Sequence, residues 1–321
     1  MRSSETITGM LRVSDMSHKH LKRRQFFDRA AETLIIAFAS IAIAIILLIF
    51  VYIGREALPL LWEQQDGASL ASTFIPPVEW QPVSANPRYN VLPLLLGTLK
   101  VTLIAMLIGV PLALGAALYT SEFAPLRLRE WIKPGVELLA GIPSVVMGFF
   151  ALIVLASWLQ SQFGFEFRLN ALNAGIALAL AVIPIIYTVA EDALTAVPQA
   201  YREASLALGA SKIQTAVRVV FPAAMPGIGA AMILGFGRAI GETMIVLMAS
   251  GNAALVSLSP VASTRTLSAT IAAELGEVVF GGGHYRILFV LGTLLFVVTS
   301  LLNWAGDRYN RRMRIKLFGS E

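Results

Sequence analysis

The chain has 321 residues, of which 56% are hydrophobic and 14% charged, and its mean hydropathy is +0.72. That balance excludes a water-soluble globular protein and points to an integral membrane protein. Cysteine is absent, which excludes disulfides and thiol-ligated metals, and the small net charge of +5 is concentrated in a few segments, where basic residues speak to topology before nucleic acid.

Residues 1–32 form a basic N-terminal tail with seven Lys and Arg and no small-residue cleavage site, so an uncleaved anchor is expected to follow it rather than a signal peptide. Its "LKRRQFF" stretch reads as a topology signal, with contact to anionic membrane lipid as the other use. Six apolar runs then predict six transmembrane helices at 33–54, 92–119, 138–159, 172–190, 223–248 and 287–306, because lipid forces the backbone to pair within each crossing segment. The expected architecture is an all-α membrane domain over 33–306, followed by a basic C-terminal tail at 307–321. Lys100, inside the second run, is expected to snorkel to the headgroups.

Eighteen of the 25 Lys and Arg residues fall in the two tails, in the segment before the third run and in the segment after the fourth. The positive-inside rule then predicts both termini in the cytoplasm. Splitting 223–260 into two spans would put the basic C-terminal tail outside, so one long uninterrupted helix is predicted there. An outer loop at 249–286 with a short helix near 266–276 follows, suited to contact with an external protein or to packing over the outer mouth.

The segment "PQAYREASLALGASKIQTAVRVVFP", 198–222, predicts a helix opening at Pro198, a stop at Gly209, and a second short helix opened by a capping box from Ser211 to Gln214. Pro222 leads into the next span. "GASK" lacks the spacing of a phosphate-cradling loop, and His18, His20 and His284 offer no metal pair at helical spacing in a span. No nucleophile with its base stands out, so no catalytic or metal site is expected in this chain.

"GFGRAIGETM", 235–244, places Arg238 and Glu242 four residues apart in an apolar run, roughly 24 Å along a straight helix from Pro222 for Arg238. Charges at such depth face a bundle interior or an aqueous path. The pair either fixes helix packing as an internal salt bridge or attracts an oxyanion, with Glu242 restraining Arg238 and accepting the anion's proton. Gly235, Gly237 and Gly241 suit close helix packing or bending.

Glu203, Ala204, Gly209 and Pro222 match the spacing of the EAA loop of prokaryotic ABC importer permeases, with Ser205, Val219 and Phe221 as departures from the usual residues. "LLLGTLKVTLIAMLIGVPLALGAALYTSEFAP", "ELLAGIPSVVMGFFAL" and "GFGRAIGETMIVLMASGN" together resemble the phosphate-specific permeases, PstC-type more than PstA-type, over residues 30–306. The resemblance implies the MetI-like permease fold in a bacterial inner membrane. It implies a PstA-type second permease, two PstB-type ATPase subunits that bind ATP and Mg and take the EAA loop, and a PstS-type phosphate-binding protein outside. It links Arg238 and Glu242 to transport and includes Glu137, expected to be structural. Import of another oxyanion, or ion-coupled secondary transport, are the competing expectations.

Overall fold

The structure, a computed structural model, describes residues 3–62 and 64–319, with side chains described at 28–62, 64–315 and 319. The expectations for the basic side chains of the N-terminal tail up to 27, for His18 and His20, and for Lys316 lie outside the described residues.

Two compact units divide the chain after Arg55. The first is carried by helix α1 (Ser3–Ala57), which runs without a break through the expected junction at 32. The helical stretch Asp28–Leu61, which extends α1 by a 3-10 turn at Leu58–Leu61, has a window mean hydropathy of 3.3, enough for a crossing.

The second unit begins with α2 (Leu70–Phe74) and a two-stranded antiparallel ribbon, β1 (Trp80–Gln81) and β2 (Arg88–Tyr89). Next come α3 (Leu92–Glu122), α4 (Leu126–Ala140), α5 (Ser144–Phe163) and α6 (Ala171–Thr195). The short helices α7 (Gln199–Ala207) and α8 (Lys212–Ala223) lead to α9 (Met225–Gly241) and α10 (Met244–Ala249). A loop carries α11 (Leu267–Glu274), and α12 (Gly283–Phe318) closes the chain. Among the described residues five helices are long and apolar enough to cross a membrane, and a sixth crossing is added when α8 and α9, bent by 69°, are counted as one span.

The core runs along α6, whose small residues Ala174, Ala177, Ala179 and Ala190 are buried against α3 and α9. Small side chains let helices approach closely where lipid supplies no hydrophobic drive between them. At Gly175 a Cβ would lie 2.4 Å from Ile104 Cγ2, so the α3–α6 crossing requires glycine there. A second apolar cluster joins Leu60, Trp80, Tyr89 and Leu94 to Leu267, Ile287 and Leu291. It is held from its polar side by Glu274, which accepts from Trp80 Nε1 at 3.1 Å and pairs with Arg265 and His284 at 2.9 Å each.

Three expectations need correction. The uninterrupted helix over 223–248 is not formed: α9 stops at Gly241, Glu242 is extended (φ −69°, ψ 130°), and α10 restarts at Met244. Charge parity counts crossings and is blind to a break inside one. The path from Pro222 is also not straight, because Pro226 has no N–H to give to the preceding turn and the chain turns by 69° at Ala224. The depth inferred for Arg238 from a straight axis therefore fails. Lys100, finally, donates to the backbone oxygens of Ser257 and Ser259 at 2.9 and 3.2 Å, and so anchors the 249–266 loop instead of snorkelling.

Candidate functional site

Two regions carry the candidate residues. The first is the break between α9 and α10. Low helix propensity at Gly235, Gly237 and Gly241 weakens the end of α9, and the groups freed by the break are met by side chains. Thr243 Oγ1 donates to Gly241 O at 3.3 Å, Ser268 Oγ donates to Glu242 O at 2.8 Å, and Glu242 Oε1 accepts from Ile245 N at 3.5 Å. Non-helical backbone in a membrane protein is tolerated where it is enclosed by protein or lines a cavity.

Arg238 and Glu242 meet at 3.5 Å, Nη2 to Oε2, as an i,i+4 pair. The contact is lopsided: the Glu242 side chain is 6% exposed and the Arg238 side chain 53%. A carboxylate taken from water needs a partner, so Glu242 holds the guanidinium by one edge while the rest of it stays free. Arg238 lines an open cavity of about 390 Å³ with Glu137 and Ala140 of α4 and Ala181, Pro184, Ile185, Thr188 and Val189 of α6. Glu242 does not line it.

The three glycines divide. A Cβ on Gly235 would lie 2.5 Å from Ile186 Cγ1, so this glycine seats α9 against α6. A Cβ on Gly237 would come no closer than 3.9 Å to Asn303 Oδ1, and one on Gly241 would meet nothing within 4 Å.

The second region is the helical hairpin of α7 and α8. Pro198 is the N-cap of α7, one position before the helical turn expected for it. After α7, Gly209 takes φ +83°, its N–H donates to Leu206 O at 2.9 Å, and Ala210 N donates to Ser205 O at 3.2 Å. This pair of bonds is a Schellman closure, and the positive φ favours glycine. The capping box forms as the spacing predicts: Ser211 Oγ accepts from Gln214 N at 3.2 Å, and Gln214 Oε1 accepts from Ser211 N at 2.8 Å. Ser205, a departure from the usual loop, bonds Thr215 across the hairpin at 2.9 Å. Glu203 and Ala204 are exposed, and so are Leu206, Leu208 and Ile213. Pro222 lies in the last turn of α8, two residues before the bend at Ala224.

Sequence reasoning missed what the hairpin stands on. Arg202 grips Glu122 at the end of α3, with Nη2 to Oε1 at 2.7 Å, and donates to Leu194 O at 2.9 Å at the end of α6. Beside it Glu191, 1% exposed, pairs with Arg129 and with Lys133, whose Nζ is 3.1 Å from Oε2. Hydrogen bonds to Asp192 first and Glu191 second hold the Lys133 ammonium above its ordinary pKa. Arg129, Lys133 and Arg202 had read only as topology charges; the partners lie 58–80 residues away, and local patterning carries no trace of them.

The comparisons with known proteins agree with this architecture. Residues 109–315 match the family described as binding-protein-dependent transport system inner membrane component. Among curated proteins, the chain is 33% identical over 290 residues to a probable ABC transporter permease protein, YqgH, of Bacillus subtilis, covering 90% of this chain and 93% of that one. It is 34% identical over 278 residues to the phosphate transport system permease protein PstC of Mesorhizobium japonicum, covering 80% and 84%. It is also 34% identical over 275 residues to PstC 1 of Mycobacterium tuberculosis, covering 78% and 80%. Among solved structures, an inward-facing MetNI methionine ABC transporter superposes at a TM-score of 0.52 and 22% identity over 70% of this chain and 94% of that one. A bacterial alginate importer superposes at 0.53 and 18% identity, over 69% and 79%. These two likenesses concern the fold alone. With the family model spanning most of the bundle and relatives aligned along most of its length, the chain belongs to the family of binding-protein-dependent transport system inner membrane components, the multi-pass permease subunits of ABC importers.

Proposed function

We propose that the cargo is inorganic phosphate, and that this chain is the PstC-type half of the translocation path. Relatives named as phosphate transport permeases along most of the chain support the cargo. The observation that carries the reading is Arg238, a half-exposed guanidinium aimed at an open cavity and held by one loose contact to Glu242. A planar fork of donors suits an oxyanion, and partial neutralisation by Glu242 keeps the anion from being trapped. Glu242 acts through Arg238. Gly235 seats the helix that carries Arg238 and ends just before Glu242, and Gly237 and Gly241 leave its end free to move.

The remaining path wall is a PstA-type permease. The α7–α8 hairpin docks on one of two PstB-type ATPase subunits, which bind the ATP and Mg, and the docking face is built on Glu203 and Ala204 with the turn at Gly209 and the exit at Pro222. A compact knob that is braced by Arg202 suits rigid-body transmission of ATPase closure. Both termini and the hairpin face the cytoplasm, and a PstS-type protein delivers phosphate at the opposite mouth, where the α11 loop lies.

The test is reconstitution of the four-component importer in liposomes. Phosphate-loaded binding protein should stimulate ATP hydrolysis and uptake. Arg238→Ala should cut uptake at least about a hundredfold, the scale of losing a charged oxyanion contact, while all subunits still co-purify. Uptake at the wild-type rate in that variant would reduce the pair to a packing device.

A further inference from the structure

The cavity beside Arg238 contains three polar side chains from three helices: Arg238 on α9, Glu137 on α4 and Thr188 on α6. The rest of its wall is apolar. At about 390 Å³ it has room for a tetrahedral oxyanion together with several waters, each of which claims about 30 Å³ in the liquid.

Five of the helical threonines bond back to their own helix. Thr98, Thr120, Thr270, Thr293 and Thr299 each donate to the carbonyl four residues back. Thr188 forms no such bond among the described residues, although it lies mid-helix and is half-buried. Its hydroxyl is therefore available to the cavity as donor or acceptor. Pro184, one turn earlier on the same face, has no N–H and so leaves the carbonyl of Leu180 without its helical donor, which loosens the backbone where the cavity opens.

Glu137 supplies what Glu242 does not. Both Glu242 oxygens are turned to the protein, one toward Ile245 N and the other toward Arg238. Glu137 is exposed, forms no ion pair among the described residues, and lines the cavity opposite α9. An ionised carboxylate only accepts hydrogen bonds. Hydrogen phosphate at neutral pH keeps a P–O–H that such a group can accept from, whereas sulfate has no proton and meets it with repulsion.

We propose that Glu137 is the specificity-determining residue of the path and Thr188 a binding residue beside it, Thr188 bonding the anion that Arg238 attracts and Glu137 admitting hydrogen phosphate while repelling sulfate. This rests on the phosphate reading above. The proton stays on the anion throughout, so no covalent change is involved, and the three groups separate whenever α4, α6 and α9 move relative to one another.

The chain has no cysteine, so Ala181→Cys puts a lone thiol of this subunit on the cavity wall. In the assembled importer, the rate at which that thiol is alkylated is read on this chain with inorganic phosphate or sulfate added. Phosphate should slow alkylation at concentrations about tenfold below those at which sulfate does, the scale of one charge-assisted bond. Adding Glu137→Gln should bring the two anions within about twofold, since the amide can donate to sulfate; Glu137→Asp should keep the preference. Thr188→Val should weaken protection by both anions several-fold with their ratio unchanged. An unaltered phosphate preference in Glu137→Gln would overturn the assignment and leave the cargo reading standing. A wild-type cavity that prefers sulfate, or that neither anion protects, would overturn both.

Discussion

Glu191 is the carboxylate whose burial costs most at the hairpin end, and its three partners explain how it is kept. Arg129 and Lys133 approach from α4, and Thr195 Oγ1 donates from the next turn of α6 at 3.2 Å. Removing the acid would leave Arg129 with Thr195 alone and Lys133 with Asp192 alone. Because both cations are about a third exposed, water recovers part of the loss, and Glu191→Ala is expected to cost about 2 kcal/mol rather than the larger figure of a fully enclosed pair. Thermal unfolding of the purified permease complex should show the melting temperature lowered by a few degrees, with Glu191→Gln intermediate. Residues of this kind were the least legible in the sequence. A basic cluster at a membrane edge satisfies the positive-inside rule whether or not each charge is paired, and pairing depends on which distant helix end comes alongside. By contrast, the i,i+4 spacing of Arg238 and Glu242 is local, and the contact expected from it is present at 3.5 Å even though the helix ends at Gly241, between the two.

At the scale of elements, the short-range signals were read well and the continuity of a span was not. The hairpin was legible residue by residue, because a glycine stop and a capping box are set within five residues of one another. The short helix expected near 266–276 forms at Leu267–Glu274, capped by Thr266. The α9 break needed the tertiary bond from Ser268 to Glu242 O, which composition alone does not announce. Two predictions separate these determinants. Gly235→Ala drives a methyl to 2.5 Å from Ile186, an overpacking expected to cost about 1–3 kcal/mol, whereas Gly241→Ala meets open space. The yield of assembled complex in detergent should fall for Gly235→Ala and hold for Gly241→Ala. Gly209→Val puts a branched residue at φ +83°, a loss of about 2 kcal/mol concentrated in the hairpin turn. Phosphate-stimulated ATP hydrolysis should drop for that variant while the spans stay folded by circular dichroism.

In the whole molecule, α6 is the member that touches every candidate region. Asn173 Nδ2 bonds Ala249 O at 2.9 Å near its start, Pro184 and Thr188 line the cavity at its middle, and Leu194 O accepts from Arg202 at its end. In the proposed coupling, a push on the hairpin would reach the cavity through one continuous helix, provided that Arg202 keeps its grip on both α3 and α6. Coupling of this sort needs a stiff joint between two arrangements rather than a long chain of weak contacts. Arg202→Lys keeps the charge but loses the planar fork that serves Glu122 and the carbonyls of Leu194 and Val197 together. The expected outcome is uncoupling: ATP hydrolysis by the reconstituted importer stays within about twofold of wild type, while phosphate moved per ATP falls about fivefold or more. Glu122→Gln should lower the same ratio less, since the carbonyl contacts remain. If the ratio is unchanged in Arg202→Lys, force enters the bundle elsewhere, with the π-turn at Ala216–Val220 and the 69° bend after it as the remaining connection from hairpin to α9.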